Sequence, residues 1–188
     1  IGCEFTGTVR DAFIRHGHDA VSCDLLPTES PGPHIVGDLL DVLGDGWDMA
    51  VFHPPCTHLA VSGAAWFKDK VKEQAQALDF VRALMQSPIP RWALENPVSV
   101  ISSYIRQPDQ IIHPWQFGHG ETKTTCLWLK GLPDLVPTNV VEGRDDRLHR
   151  LPPSPDRWKL RSATYKGIAE AMASQWGACA DWQAPQLP

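Results

Sequence analysis

Met49-Ala50-Val51-Phe52-His53-Pro54-Pro55-Cys56-Thr57 is the stretch whose reading decides the fold. Its apolar run, Met49 to Phe52, reads as a buried strand. Two prolines end that strand, because neither can donate to a sheet ladder. A cysteine follows at once. In open α/β sheets ligands bind at the carboxyl ends of the strands, so a thiol carried there on a rigid Pro-Pro turn is a candidate nucleophile. An isolated cysteine is more often a packing residue, since free Cys is among the most buried residue types. The flanking chain has to decide between the two.

Upstream, residues 1–5 read as the end of a first strand, Gly7 as a turn, and residues 9–16 as a short helix stopped by Gly17. Residues 20–24 form a second strand and residues 34–38 a third, each ending in an acid, Asp24 and Asp38. Residues 39–43 make a helical turn or two. Downstream, residues 64–86 carry the longest helical pattern, with Val71, Ala75, Leu78, Val81 and Met85 at three- and four-residue spacing. Residues 91–94 form a fifth strand that runs into Glu95-Asn96-Pro97. This alternation predicts an α/β fold with a doubly wound, mostly parallel sheet. The pattern then changes. Residues 111–115 and 125–129 read as an antiparallel pair, residues 133–155 show little periodicity, and residues 162–176 form a closing helix with Ile168, Met172 and Trp176 on one stripe. A single domain over residues 1–188 is expected.

Composition removes several classes of function. The chain has 188 residues, 43% hydrophobic and 21% charged, which describes a globular protein. No apolar run approaches the roughly 18 residues of a membrane span, and no signal peptide is visible; a cytoplasmic location is expected. The chain opens at Ile1 without a methionine, so a few upstream residues are expected, with most of a first strand. Its five cysteines (Cys3, Cys23, Cys56, Cys126, Cys179) are odd in number and irregularly spaced, which fits reduced thiols rather than a disulfide framework or a zinc knuckle. Cys56-Thr57-His58 and His16-Gly17-His18 are tight clusters without a second half at ligand spacing, so no metal site is expected. The net charge of -5 argues against a generic polyanion binder. Residues 141–166 nevertheless hold seven Lys/Arg against four Asp/Glu, a balance of +3, and mark where a phosphate could be met.

Three successive strand ends therefore offer a glycine turn and two carboxylates, which is how a doubly wound domain holds an adenosyl group. Glu4-Phe5-Thr6-Gly7, Asp24, Asp38, Pro54-Pro55-Cys56 and Glu95-Asn96-Pro97, in this order, resemble the cytosine-5 DNA methyltransferases. Residues 115–128 and 152–158 extend the likeness to short methylase-like proteins of phages and prophages, so that it spans nearly the whole chain. The resemblance implies a Rossmann-like methyltransferase sheet and S-adenosylmethionine as cofactor, held by Phe5, Thr6, Gly7, Asp24, Leu25, Asp38 and Pro54. It implies Cys56 as nucleophile, Glu95 as the partner of the cytosine ring nitrogen and Asn96 as an orienter of the site. Carbon 5 of cytosine is a poor nucleophile until a thiolate adds to carbon 6, and that addition needs a proton or hydrogen bond at the ring nitrogen.

The departures carry information. Thr8-Val9 stand where the family has further glycines, Thr57 where a Gln follows the nucleophile, and Pro97 where a Val is usual. The family's paired arginines fall near residues 121–125, where Lys123 is the basic residue. Gly167 of the closing motif is present, without the Asn that follows it. Residues 132–161 leave about thirty positions where the family has a target-recognition region, so a separate specificity partner or a homo-oligomer is a possible arrangement. Lys123, Arg144, Arg147, Arg150 and Arg157 are the candidate contacts to backbone phosphates, which position without reading sequence. The expected partner is double- or single-stranded DNA or a cytosine nucleotide. Two other readings compete: a methyltransferase for an exocyclic amine, whose pattern His53-Pro54-Pro55-Cys56 fits badly at both ends, and a non-catalytic relative that binds adenosylmethionine or nucleic acid.

Overall fold

The structure, a computed structural model, describes residues 1–154 and 157–178; Cys179 and the Pro155-Asp156 pair lie outside the described residues. In chain order the elements are α1 (Thr8–Arg15), β1 (Ser22–Asp24), β2 (His34–Val36), α2 (Leu39–Val42), β3 (Met49–Phe52), α3 (Val71–Met85), β4 (Arg91–Pro97), α4 (Ile101–Tyr104), β5 (Gln110–Ile112), β6 (Thr125–Lys130), α5 (Arg147–Arg150), α6 (Arg157–Ser162) and α7 (Lys166–Gly177). They form a mixed α/β structure. β1 and β2 make a small parallel sheet, and β3-β4-β6-β5 make a four-stranded mixed one. β3 and β4 are parallel, while β6 is antiparallel to both β4 and β5, as the sequence predicts for the C-terminal portion.

Gly2 joins the two sheets. It forms parallel bridges to Cys23 of β1 and to Phe52 of β3, its N–H donating to the Val51 carbonyl (2.8 Å) while His53 N–H donates to its own carbonyl (2.9 Å). The expected first strand is reduced to this stub, because Cys3 turns the chain into the left-handed region at φ 57°. The chain at Gly2 also runs against Leu39 and Phe52, leaving no room for a side chain.

Strand alternation divides the core in two. Val51 of β3, Ala93 of β4 and Leu127 of β6 face α1 and α7, packing on Val9, Phe13, Ile168, Met172 and Trp176. Ala50, Phe52, Trp92, Leu94 and Trp128 face α3, packing on Leu78, Val81 and Leu84. Each fully buried side chain of this size contributes about 1.5–3 kcal/mol.

Three expectations are corrected. The helix predicted over residues 64–86 begins at Val71, behind a 3₁₀ segment, Val61–Asp69. Ala60 pairs with Ser99 and Val61 N–H donates to the Val98 carbonyl, pinning the segment to the chain beyond β4 before the helix can start. Val71 is consequently exposed, and Leu84 rather than Met85 completes the buried stripe. The fifth strand does not stop at Leu94. It runs through Glu95-Asn96-Pro97, which pair with Leu127, Cys126 and Thr125 of β6 after β3 has left at the prolines. The closing helix starts at Lys166 rather than Ser162, and α6 precedes it as a separate element. Gly167 is required here, since a Cβ would lie 1.8 Å from the Phe117 carbonyl oxygen.

Candidate active site

The site forms where β3 and β4 end side by side. Beyond Phe52 the Pro54-Pro55 turn lifts Cys56 out of the sheet, and the Cys56 carbonyl then accepts from Leu59 (3.0 Å) and Ala60 (2.9 Å) N–H. Asn96, almost fully buried, donates from Nδ2 to the Pro54 carbonyl (2.9 Å) and so fastens the turn to β4. Its Oδ1 is buried without a hydrogen-bond partner among the described residues. The bond explains both the asparagine and the loop: without it the Pro-Pro turn would have no polar tie to the neighbouring strand end. Pro54, predicted to meet the cofactor, is itself buried and has its carbonyl committed to Asn96.

Glu95 is buried and lies on the α1/α7 side of β4, two residues after Ala93. Its Oε2 is 3.3 Å from His53 Nδ1, both side chains being about one-tenth exposed (11% and 10%). Burial pushes the carboxyl upward, but the His53 hydrogen bond and the charges of Lys123 and His53 outweigh it, and the net shift is downward. Cys56 goes the other way. Burial and the Glu95 carboxylate raise the thiol, against weaker opposing influences of Lys123, its own backbone N–H and Arg161. The site therefore holds an anionic carboxylate beside a resting thiol, with Lys123 acting on both. Lys123 reaches across to the chain before α7, its Nζ donating to the Ala163 carbonyl (3.4 Å).

Of the predicted catalytic set, Cys56, Glu95, Asn96 and Lys123 come together. Sequence reasoning missed two neighbours. His53 was signalled by strand register: Phe52 pairs with Leu94, so the next residue of each strand had to meet. Arg161, on α6, was signalled only as one of the seven basic residues of 141–166, which did not tie it to Cys56.

The predicted cofactor residues divide. Glu4 is buried and takes the first amides of α1, Val9 N–H (2.6 Å) and Arg10 N–H (3.1 Å), while Thr6 Oγ1 donates toward it at 3.5 Å. Gly7 has φ 75°, and a Cβ there would lie 2.4 Å from the fully buried Arg10 guanidinium. That guanidinium holds the loop after β1 through the Ser30 carbonyl (2.9 Å), Thr28 Oγ1 (3.2 Å) and Ser22 Oγ (3.1 Å). Asp24 accepts from Leu26 N–H (2.9 Å) and Asp38 from Leu40 N–H (2.9 Å), each through one oxygen, and Leu25, which follows Asp24, is 74% exposed. Phe5 lies under Trp158 of α6, ring centroids 5.6 Å apart. Lys159 pairs with Glu29 (3.0 Å). The α6 segment thus spans from the glycine turn to the thiol.

Three of the predicted phosphate contacts are engaged locally. Arg144 stacks over Trp115, 4.0 Å from the ring centroid. Arg147 pairs with the buried Glu121, and Arg150 with Asp146. Residues 139–145 are laid along residues 115–122 by backbone hydrogen bonds, among them Val141 to Trp115 and Asp145 to Gly120. Arg157 keeps a buried Nε without a hydrogen-bond partner among the described residues. No group of three His, Cys, Asp or Glu among the described residues is gathered as a metal site, and none of their helices is long and apolar enough to cross a membrane.

No protein-family model matches the sequence, and no curated protein is significantly similar to it. The functional reading therefore stands on the site.

Proposed function

We propose that the chain is an S-adenosylmethionine-dependent methyltransferase acting on carbon 5 of cytosine in DNA, with Cys56 as a covalent nucleophile. The observation that carries this is the pairing of a half-buried thiol, Cys56, with a carboxylate, Glu95, held anionic on the adjacent strand end. The fold supports it. With Gly2 counted as a strand, the spatial order is β2-β1-Gly2-β3-β4-β6-β5, with helices on both faces. We read that as one doubly wound, Rossmann-like sheet with an antiparallel strand near its far edge.

The residues present suit the cofactor. The N-terminus of α1, where a dinucleotide would rest its phosphates, is already filled by the Glu4 carboxylate, which repels phosphate and suits a cofactor bearing a positive sulfonium. Asp24 and Asp38 each retain one oxygen with no hydrogen bond among the described residues, for ribose hydroxyls and the adenine amine, and exposed Leu25 offers an apolar face to the ring. When bound, S-adenosylmethionine supplies an electrophilic methyl group.

The chain's own residues supply the rest. Cys56 adds through sulfur to carbon 6, and electron density moves into the ring toward the nitrogen that Glu95 faces. The shifts of both groups favour the resting pair of neutral thiol and anionic carboxylate, so the proton leaves Cys56 only as the sulfur–carbon bond forms, when Glu95 receives it and hands it to the ring nitrogen. Carbon 5, once it has accepted the methyl group, loses its proton to solvent, and the carbon 5–carbon 6 double bond re-forms. The sulfur leaves carbon 6, and the ring nitrogen returns its proton through Glu95 to Cys56. Asn96 keeps the turn in place throughout. Lys123 offsets the negative charge. Phosphate contact falls to Lys123, Arg157 and Arg161 rather than to the locally paired arginines.

The test is incubation with methyl-labelled S-adenosylmethionine and, separately, duplex DNA, single-stranded DNA and a cytidine nucleotide. The expected product carries label on carbon 5 of cytosine, and Asp24→Ala weakens cofactor binding while Cys56→Ala leaves it intact. Label on the exocyclic amine, or cofactor binding with no transfer to any of the three, contradicts the proposal.

A further inference from the structure

β3 and β4 run parallel, with Val51 opposite Ala93 and Phe52 opposite Leu94. One more residue along each strand sets His53 beside Glu95, on the same face of the sheet. The contact follows directly from the register. His53 Nδ1 lies 3.3 Å from Glu95 Oε2, and the backbone N–H of His53 is fixed to the Gly2 carbonyl at 2.9 Å. Its other ring nitrogen, Nε2, is buried with no hydrogen-bond partner among the described residues. Glu95 Oε1 has no hydrogen bond among the described residues, so one oxygen is held and the other is left for a ligand.

From this geometry we infer that His53 is a positioning residue for Glu95, holding one carboxylate oxygen through Nδ1–H so that the other presents to the substrate ring. An anionic carboxylate can only accept, so the proton between the two groups sits on Nδ1. The remaining charged or titratable groups acting on Glu95 or on the thiol beside it are Lys123 from the loop before β6, the Cys56 thiol, Cys126 on β6 and Arg161 on α6. Lys123 favours the carboxylate by charge alone, from a side chain tied to the Ala163 carbonyl. His53 adds a direction. It carries no reacting atom: the proton that leaves the Cys56 sulfur as the sulfur–carbon bond forms is received by Glu95 and passed to the ring nitrogen, and His53 holds Glu95 in line throughout.

The rate part of this inference rests on the cytosine reading; the carboxyl part does not, and the experiment separates them. Two variants are compared with the wild type, His53→Ala, which removes the donor, and His53→Asn, whose amide nitrogen can stand near the position of Nδ1. In carbon-13 glutamate-labelled protein without substrate, the Glu95 carboxyl should titrate about one pH unit or more higher in His53→Ala, because a hydrogen bond favouring the charged form is lost while burial remains. His53→Asn should recover most of that shift. Where cytosine is turned over, His53→Ala should slow transfer about 10²-fold, move the acid limb of the rate profile upward by the same interval, and leave the cofactor Kd within twofold. His53→Asn should restore the rate. A Glu95 titration that does not move in His53→Ala overturns the inference, whether or not methyl transfer is found. A moved titration with no transfer by the wild type upholds the His53–Glu95 link and removes the cytosine reading alone.

Discussion

The strand-end site and the basic segment at 141–150 both concentrate charge, and they treat it in opposite ways. In the basic segment each arginine is answered at once: Arg144 by the Trp115 ring, Arg147 by Glu121, Arg150 by Asp146. At the strand ends, bonding capacity is left over. His53 Nε2 and Asn96 Oδ1 are buried without hydrogen-bond partners among the described residues, the thiol is held protonated, and the neighbouring carboxylate is held ionised. Satisfied polar groups stabilise a fold, whereas unsatisfied ones cost stability and persist where a ligand completes them. On the proposed reading the contrast puts chemistry at the strand ends and structure in the segment, although residues 141–166 stand out in the sequence for their positive charge.

The largest effect that would sharpen this contrast is Glu95→Gln. Methyl transfer should fall by about 10²–10⁴, read as initial rates, with cofactor binding unchanged. The variant should also change the response to acid. The folded carboxyl titrates below its ordinary range, so its stabilisation is complete above the unfolded carboxyl's range and disappears as the pH falls through the folded value. Melting curves of wild type and variant should therefore approach one another on acidification. A gap in melting temperature that widens toward low pH would break this part of the account.

Next in size is Arg147→Ala. It leaves Glu121, 5% exposed, without its cation and should cost on the order of 1–3 kcal/mol of stability by denaturant unfolding. The transfer rate per folded molecule and the salt dependence of DNA binding should stay as in the wild type. A salt slope lower by about one would make Arg147 a phosphate contact and dissolve the contrast. The smallest effect expected is that of Arg150→Ala, whose partner Asp146 is on the surface: no measurable change in melting temperature, rate or salt slope.

Much of the architecture was legible because buried parallel strands advertise themselves as short apolar runs. Met49–Phe52 and Trp92–Leu94 were visible for that reason, and so was the thiol at the end of the first. What was hidden depended on pairing between distant segments. The continuation of β4 through Glu95-Asn96-Pro97 is enforced by β6, thirty residues later, and no local feature of a Glu-Asn-Pro turn announces it. The break before Val71 comes from the Ala60–Ser99 bridge. His53 looked like a polar residue ending a strand, and only register turns it into a neighbour of Glu95. The arginines at 144, 147 and 150 looked free because a charge count does not see their partners.

One measurement bears on the proposal that Cys56 does covalent chemistry more directly than any other. An oligonucleotide containing 5-fluorocytosine, incubated with S-adenosylmethionine and the protein, should be trapped as a covalent adduct, because fluorine cannot leave carbon 5 as a proton does. Peptide mapping by mass spectrometry should find it on Cys56, and Cys56→Ala should abolish it while still binding the cofactor. An adduct on another cysteine, or methylated DNA without any adduct, would contradict the assignment of Cys56 as the nucleophile.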